Sequence, residues 1–213
     1  MTAKVVIFGA QGSAREIAWL AAAAGLEPVC FVDAPSSSRL GTVQNGLPIL
    51  SAQDAHSQHA GAGAILAAGD PALRKRLEAE ARNAGFPFAS LVHPAALISP
   101  ATAIADGFVC YPQTMIATNV VIGLHVQINV GSTVSHDTIL GNYVTLSPGV
   151  RICGYVDIGD SVFAGAGAVL INGTPERRLT IGEGAVIAAG ACVTADVAPG
   201  VRVAGVPARP LGR

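Results

Sequence analysis

From Ile98 onward the chain repeats itself every six residues. Stepping by six places Ile98, Ile104, Cys110, Ile116, Ile122, Ile128, Val134, Leu140, Leu146, Ile152, Ile158, Ala164 and Leu170 in one column, almost wholly Ile, Leu or Val. Four residues after each stands a second column, running from Thr102 and Phe108 to Val162 and Ala168, nearly all small or β-branched. A helix repeats every 3.6 residues and a strand every two, so a period of six is neither. It fits a coil with three flat sides, one hexapeptide per side, whose repeated aliphatic points inward. The second half therefore reads as a parallel β-helix. Three hexads make one coil, so residues 98–170 span about four coils. The beat breaks at NGTPERRLT, between Leu170 and Ile181, as a loop of about five extra residues would break it. It resumes at Ile181, Ile187 and Val193, and the tail DVAPGVRVAGVPARPLGR reads as the chain leaving the stack.

The first part is built differently. KVVIF (4–8) reads as a buried strand, GAQGSA as a turn, and AREIAWLAAAAG as a helix closed by Gly25, with Ser13 and Glu16 as a capping box. PVCFVD ends a second strand at Asp33, and residues 36–46 are polar and loop-like. GAILAAG (63–69), the amphipathic stretch 71–85 and FASLVHP (88–94) read as strand, helix and strand. Strands alternating with helices imply a parallel sheet. The expected division is 1–94, a Rossmann-like α/β unit of half size, and 95–213, the β-helix with its tail. Open coil ends need covers, which the first unit and the tail can supply. Flat, weakly charged sides suit packing on copies of the same chain.

The chain is 51% hydrophobic and 13% charged with a net charge of −1, which gives no electrostatic case for nucleic acid or an anionic membrane. No apolar run approaches the roughly 18 to 20 residues of a membrane span, and the start is too glycine-interrupted for a secretory signal. Cys30, Cys110, Cys153 and Cys192 are scattered without metal-type spacing and read as buried reduced thiols. A cytoplasmic address is expected.

Two places carry candidate chemistry. In GAQGSAREI, small residues between strand and helix let an anion approach the helix N-terminus, which favours negative charge. The pattern is G-x-x-G-x-A, not the dinucleotide fingerprint. The turn is thus a candidate phosphate or nucleotide site, against a tight turn in which Ser13 only caps the helix. Asp33 ends a strand where a carboxylate can accept from a ribose hydroxyl or a base, and Gly69 and Asp70 would face the same crevice. The second place is His136 in VSHDTILG, among small neighbours that leave room for a substrate. Asp137 follows it and could orient the imidazole. Adjacent strand residues point to opposite faces, so this pair can meet only at a corner. His56 and His59 lie in a polar segment and His125 at a side position of its hexad, all three reading as surface residues. His125 and His136 stand eleven residues apart with no third histidine at a metal-ligand spacing, so no metal is expected.

GAQGSAREI with FVD, LVHPAALISPAT, the hexapeptide stack with HD inside it, CGYVDIGDSVFAGAGAVLING and the terminal VAGVPAR together resemble one family across residues 4–210. It is the sugar acyltransferase family of the bacillosamine- and perosamine-type nucleotide-sugar N-acetyltransferases and the sialic acid O-acetyltransferases. The resemblance implies a left-handed parallel β-helix, a homotrimer, acetyl-CoA lying between neighbouring β-helices, and a nucleotide-sugar held by the N-terminal α/β domain. It matches His136 to the family's base, Asp137 to the acidic residue after it, and Asn129 to an asparagine seven residues before it. Gly154 matches the glycine whose amide faces the thioester, Gly165, Ala166, Ala189 and Gly190 the small residues along the pantetheine, and Gly9, Gln11, Gly12, Ser13 and Asp33 the residues on the nucleotide side. The chain departs from the pattern at Thr145, where some members carry a second histidine, and in residues 34–46, which lack an Asp-rich or Lys-bearing continuation.

The function so implied is acetyl-CoA-dependent N-acetylation of a nucleotide-linked amino-deoxy sugar, with His136 as general base and no metal. Acetylation of a sugar hydroxyl and a non-catalytic nucleotide-sugar binder are the alternatives. A dehydrogenase is the weakest reading, because the sheet lacks a second nucleotide half. Arg177 and Arg178 in the inserted loop could reach a CoA phosphate or simply stand in solvent.

Overall fold

The computed structural model describes residues 3–212. It divides into two compact units, Met1–Pro94 and Ala95–Arg213. In the first, β1 (Lys4–Phe8), α1 (Gly12–Ala23), β2 (Glu27–Val32), β3 (Val43–Gln44), β4 (Leu47–Leu50), α2 (Ala52–Gln58), β5 (Gly63–Leu66) and α3 (Pro71–Asn83) follow in order. The sheet runs β3-β4-β2-β1-β5, parallel except for the β3–β4 hairpin. Strand order reverses at β1, and the crevice beyond the carboxyl ends of strands at such a reversal is where open α/β sheets bind ligands. Val6, Phe8, Cys30, Val32, Ala64 and Leu66 form a buried face with Ala55, Ala81 and Phe86.

Several local expectations are corrected. Ser13 caps nothing: the N-cap of α1 is Gln11, and no side chain caps that helix. The Ser13 hydroxyl instead donates to the Ala67 carbonyl at 2.9 Å, tying the turn to the end of β5. Residues 36–46 contain β3, and β4 and α2 follow; α2 is polar and short, held by Ser51 accepting from the Asp54 amide. FASLVHP is no continuous strand but a single bridge, Ala64 to Phe88, and the two-residue strand Leu91–Val92.

The second unit is a left-handed parallel β-helix. One face stacks Leu97–Ile98, Met115–Ile116, Thr133–Val134, Arg151–Ile152, Val169–Leu170 and Cys192–Val193. The second stacks Ala103–Ile104, Val121–Ile122, Ile139–Leu140, Val156–Ile158 and Leu179–Ile181. The third runs from Val109–Cys110 to Arg202–Ala204, where Arg209–Pro210 adds an antiparallel edge. The tail thus extends the stack, with Val203 paired to Ile187, before it leaves. The first column is fully buried from Cys110 to Val193; Ile104, near the open end, is 41% exposed. Rungs pair each residue with the one 18 further on, as Ile116 with Val134, until the insertion changes this to 23, as Leu170 with Val193. The loop therefore adds five residues.

The turn from each side to the next places one residue in the left-handed region. Gly107, Gln113, Asn119, His125, Gly131, Asp137, Tyr143, Gly149, Tyr155, Ser161 and Gly167 all have φ between 54 and 73°. Each stands three residues after an inward aliphatic, so the hexapeptide beat also sets the corners. His125 is one of these corner residues and is buried, not at the surface. Its ring stacks on Tyr143 one coil later, 5.5 Å between centroids, and lies over Gly107, where a Cβ would come within 2.1 Å of Nδ1. His56 is likewise half-covered, edge-on to Phe86. Cys30 and Cys110 are buried, and burial pushes both thiols up to about 12; Cys153 and Cys192 are only half-buried.

Candidate active site

His136 and Asp137 lie on the turn from the first face to the second, and Asp137 holds its left-handed corner (φ 55°). That bend removes the alternation of a straight strand and brings the two side chains together, His136 Nδ1 to Asp137 Oδ2 at 2.8 Å. With Nδ1–H assigned as the donor to the carboxylate, Nε2 is left as a proton acceptor. The imidazole is half-exposed.

Neighbouring coils complete the corner. Asn119, 18 residues before Asp137, donates its Nδ2 to Asp137 Oδ1 at 3.1 Å. Tyr155, 18 residues after it, stands edge-on to the imidazole, 5.2 Å between centroids. The hydrogen bond from His136, then that from Asn119, hold the Asp137 carboxyl below its ordinary value, with the His136 charge and the Tyr155 hydroxyl adding to them. Neither Asn119 nor Tyr155 is singled out by composition or motif. The signal that finds them is the coil length counted from Asp137.

Gly154 lies 18 residues after His136. A Cβ there would fall 2.6 Å from His136 Cε1 and 2.8 Å from Nε2, so the imidazole rests on a face only glycine leaves open. At the equivalent position of the next corner, side chains cap the outward amides: Leu124 N–H donates to Asn142 Oδ1 and Asn142 N–H to Asp160 Oδ1, each at 2.8 Å. The Gly154 N–H donates to no group among the described residues. An uncommitted amide beside an imidazole suits a developing oxyanion.

The other pantetheine candidates are elsewhere. Gly165, Ala166, Ala189 and Gly190 sit on turns from the third face to the first, stacked on one another: Gly190 N–H donates to Ala166 O at 2.8 Å. A Cβ on Gly165 would come within 2.5 Å of Ala189 N, so close coil stacking alone requires that glycine. Asn129 is on this second corner too, and its Nδ2 donates to Leu146 O at 2.8 Å, with no contact to His136. Thr145 is buried on the third face.

In the first unit, Gly9 (φ 109°) carries the chain past Ala67 O, which a Cβ would approach to 3.2 Å. The helices α2 and α3 are capped by Ser51 and Asp70, whereas the α1 N-terminus, at Gln11, Gly12 and Ser13, has no side-chain cap. Its free N–H groups and dipole remain for an anion. Asp70 serves as a cap, its Oδ1 accepting from the Ala72 and Leu73 amides. Asp33 does reach the strand ends but is engaged by its own chain, accepting from Ala34 N–H (3.0 Å), Ser37 Oγ (2.6 Å) and Arg39 Nη2 (2.7 Å). Burial alone would raise its carboxyl; the Ser37 and Ala34 hydrogen bonds and the Arg39 charge outweigh that and leave it lowered. Arg39 also donates to Ala10 O, which fastens the segment after β2 to the glycine turn.

The PglD N-terminal domain family model matches residues 4–80. A GDP-perosamine N-acetyltransferase of Escherichia coli O157:H7 is 38% identical over 141 residues, covering 66% of this chain and 64% of that enzyme, just under two thirds of its length. The acetyltransferase domain of PglB from Neisseria gonorrhoeae FA1090, in complex with acetyl coenzyme A, superposes with a TM-score of 0.86 at 31% identity, covering 99% of this chain and 100% of that one. A histidine-to-alanine variant of GDP-perosamine N-acetyl transferase from Caulobacter crescentus, in complex with CoA and GDP-perosamine, gives a TM-score of 0.89 at 30% identity, covering 99% and 97%. The chain belongs to this family of sugar acetyltransferases. Among the described residues no group of three His, Cys, Asp or Glu is placed to hold a metal ion, and no helix is long and apolar enough to cross a membrane.

Proposed function

We propose that this chain transfers the acetyl group of acetyl-CoA to the amino group of a nucleotide-linked amino sugar. The observation that carries this reading is the corner where His136, oriented by Asp137, stands over the bare face and uncommitted amide of Gly154. His136 Nε2 accepts a proton from the sugar amine as its nitrogen forms a bond to the thioester carbonyl carbon. The carbonyl oxygen becomes an oxyanion, stabilised by the Gly154 N–H. Collapse breaks the carbon–sulfur bond, and the imidazolium returns the proton to the CoA thiolate. Asp137 keeps the imidazole in the tautomer that frees Nε2 and favours its cationic form.

The uncapped α1 N-terminus, with Gly9, Gln11, Gly12 and Ser13, takes the nucleotide phosphates, while Asp33 and Gly69 flank them. Acetyl-CoA runs along the β-helix past Gly154 and the second corner, Gly165, Ala166, Ala189 and Gly190. Those residues and Asn129 occupy a different corner from His136, which supports a cleft shared by neighbouring chains of a homotrimer.

Thiol release from acetyl-CoA with a panel of nucleotide amino sugars, GDP-perosamine first, tests the proposal. We expect an amide product, and a loss of about 10²- to 10⁴-fold in kcat for His136→Ala. An ester product would move the acceptor to a hydroxyl. Full rate in a folded His136→Ala variant would remove the base from the scheme.

A further inference from the structure

The five-residue insertion leaves the stack at the same corner that carries His136, and its path is fixed. Gly173 N–H donates to Gly154 O at 3.0 Å and Leu179 N–H to Tyr155 O at 3.1 Å, so both ends of the loop are stapled to the coil beneath the imidazole. Between them Thr174 and Arg177 close a turn through reciprocal backbone bonds. Gly173 passes so near this coil that a Cβ would lie 2.4 Å from Tyr155 O. The turn delivers Arg178 back toward the corner. Its Nε donates to Asp157 Oδ2 at 2.8 Å, and its Nη2 stands 2.7 Å from Oδ1 as an ion pair. The same Nη2 donates to the backbone carbonyl of Asp137, 41 residues away, at 2.5 Å. The guanidinium carbon stands 5.9 Å from the centroid of Tyr155, the ring that also meets the imidazole in a T-shaped contact.

The geometry points to Arg178, held by Asp157, as a positioning residue that fixes the left-handed corner on which the His136–Asp137 pair depends; this rests on the proposed reading of that pair. A left-handed Asp residue is a strained choice, and a clamp on its carbonyl fixes the backbone rotation that aims its carboxylate. The Nε of Arg178 is already committed to Asp157 and its Nη2 to the Asp137 carbonyl, which is what separates Arg178 from a phosphate ligand waiting for CoA.

The test is steady-state kinetics of Arg178→Met, Arg178→Lys and Asp157→Asn with acetyl-CoA and the accepted sugar, alongside ¹⁵N NMR of the His136 ring. Arg178→Met should lower kcat by about 10- to 100-fold through misplacement of the base, with both KM values within about twofold. Asp157→Asn should act in the same direction, and the double variant should cost no more than the single ones combined minus their shared effect. Arg178→Lys, which can keep one bond, should recover part of the rate. The ring nitrogens should report Nδ1–H bonded to carboxylate in the wild type and a mixed tautomer in Arg178→Met. A raised KM for acetyl-CoA at unchanged kcat would make Arg178 a CoA ligand and overturn the proposal, as would unchanged kinetics. If the wild type acetylates nothing in the panel, the functional reading fails and the ring spectra alone decide: identical tautomers in wild type and Arg178→Met overturn the positioning role.

Discussion

Gly154 is the residue at which position and chemistry can be separated. Its backbone is not in the left-handed region, so Gly154→Ala asks little of the chain except that the His136 ring move off the new methyl. We expect the variant to melt within a few degrees of wild type while kcat drops by about 10²-fold, the cost typical of a slightly misplaced catalytic group. Calorimetry and the thiol assay read the two effects independently. Asp33 makes a different prediction. Its carboxyl is lowered in the fold, so the unfolded chain takes up its proton first as pH falls. The stability it contributes is complete above its unfolded value of about 3.9 and is lost as pH drops through the lower folded value. Urea unfolding followed by tryptophan fluorescence should show Asp33→Asn losing less stability than wild type between neutral pH and the acid range. An equal loss in both would mean that the Ser37 and Arg39 contacts do not persist in solution.

At the scale of elements, the rungs are nearly identical, so damage depends on where along the stack it falls. Leu146 is fully buried mid-stack, and Leu146→Ala should cost about 2–5 kcal/mol, the range for a large-to-small change in a packed core. Ile104→Ala, in the same column but exposed near the open end, should cost far less. Chemical denaturation of the two variants checks the contrast. The inserted loop is an element whose length could be read but whose destination could not. The count from Leu170 to Ile181 gives its size; that it returns to the His136 corner follows from the three-sided register, and Arg178's partner follows from the coils it crosses. Asn119 and Tyr155 were legible only after a corner position had been assigned to Asp137. Ser13 shows the reverse failure: S-x-x-E spells a capping box locally, but the helix begins two residues earlier and the hydroxyl finds Ala67, which only the sheet brings near.

At the scale of the whole molecule, the split of small residues and base over two corners makes assembly a condition for activity in the proposed homotrimer. Val121 and Ile139, on successive rungs of the second face, are 47% and 44% exposed, and apolar groups in such a row favour contact with another copy. Ile139→Asp should therefore lower both the trimer mass by analytical ultracentrifugation and the specific activity; a fully active monomer would sink the shared-cleft reading. His136 and Asp137 stood as candidates and Gly154 entered through family resemblance; the sequence by itself determined the β-helix and the half-sized α/β unit. It could do so because burial of one residue in six is a local, periodic pattern that needs no knowledge of distant contacts. Only the tertiary structure decided that Asp137 turns a corner and so faces His136, that Asp33 is held by Arg39, and that Arg178 returns to the site. Those contacts lie between residues 1 to 41 positions apart, and they depend on φ at single turns and on the exact register of stacked coils, which side-chain periodicity does not encode.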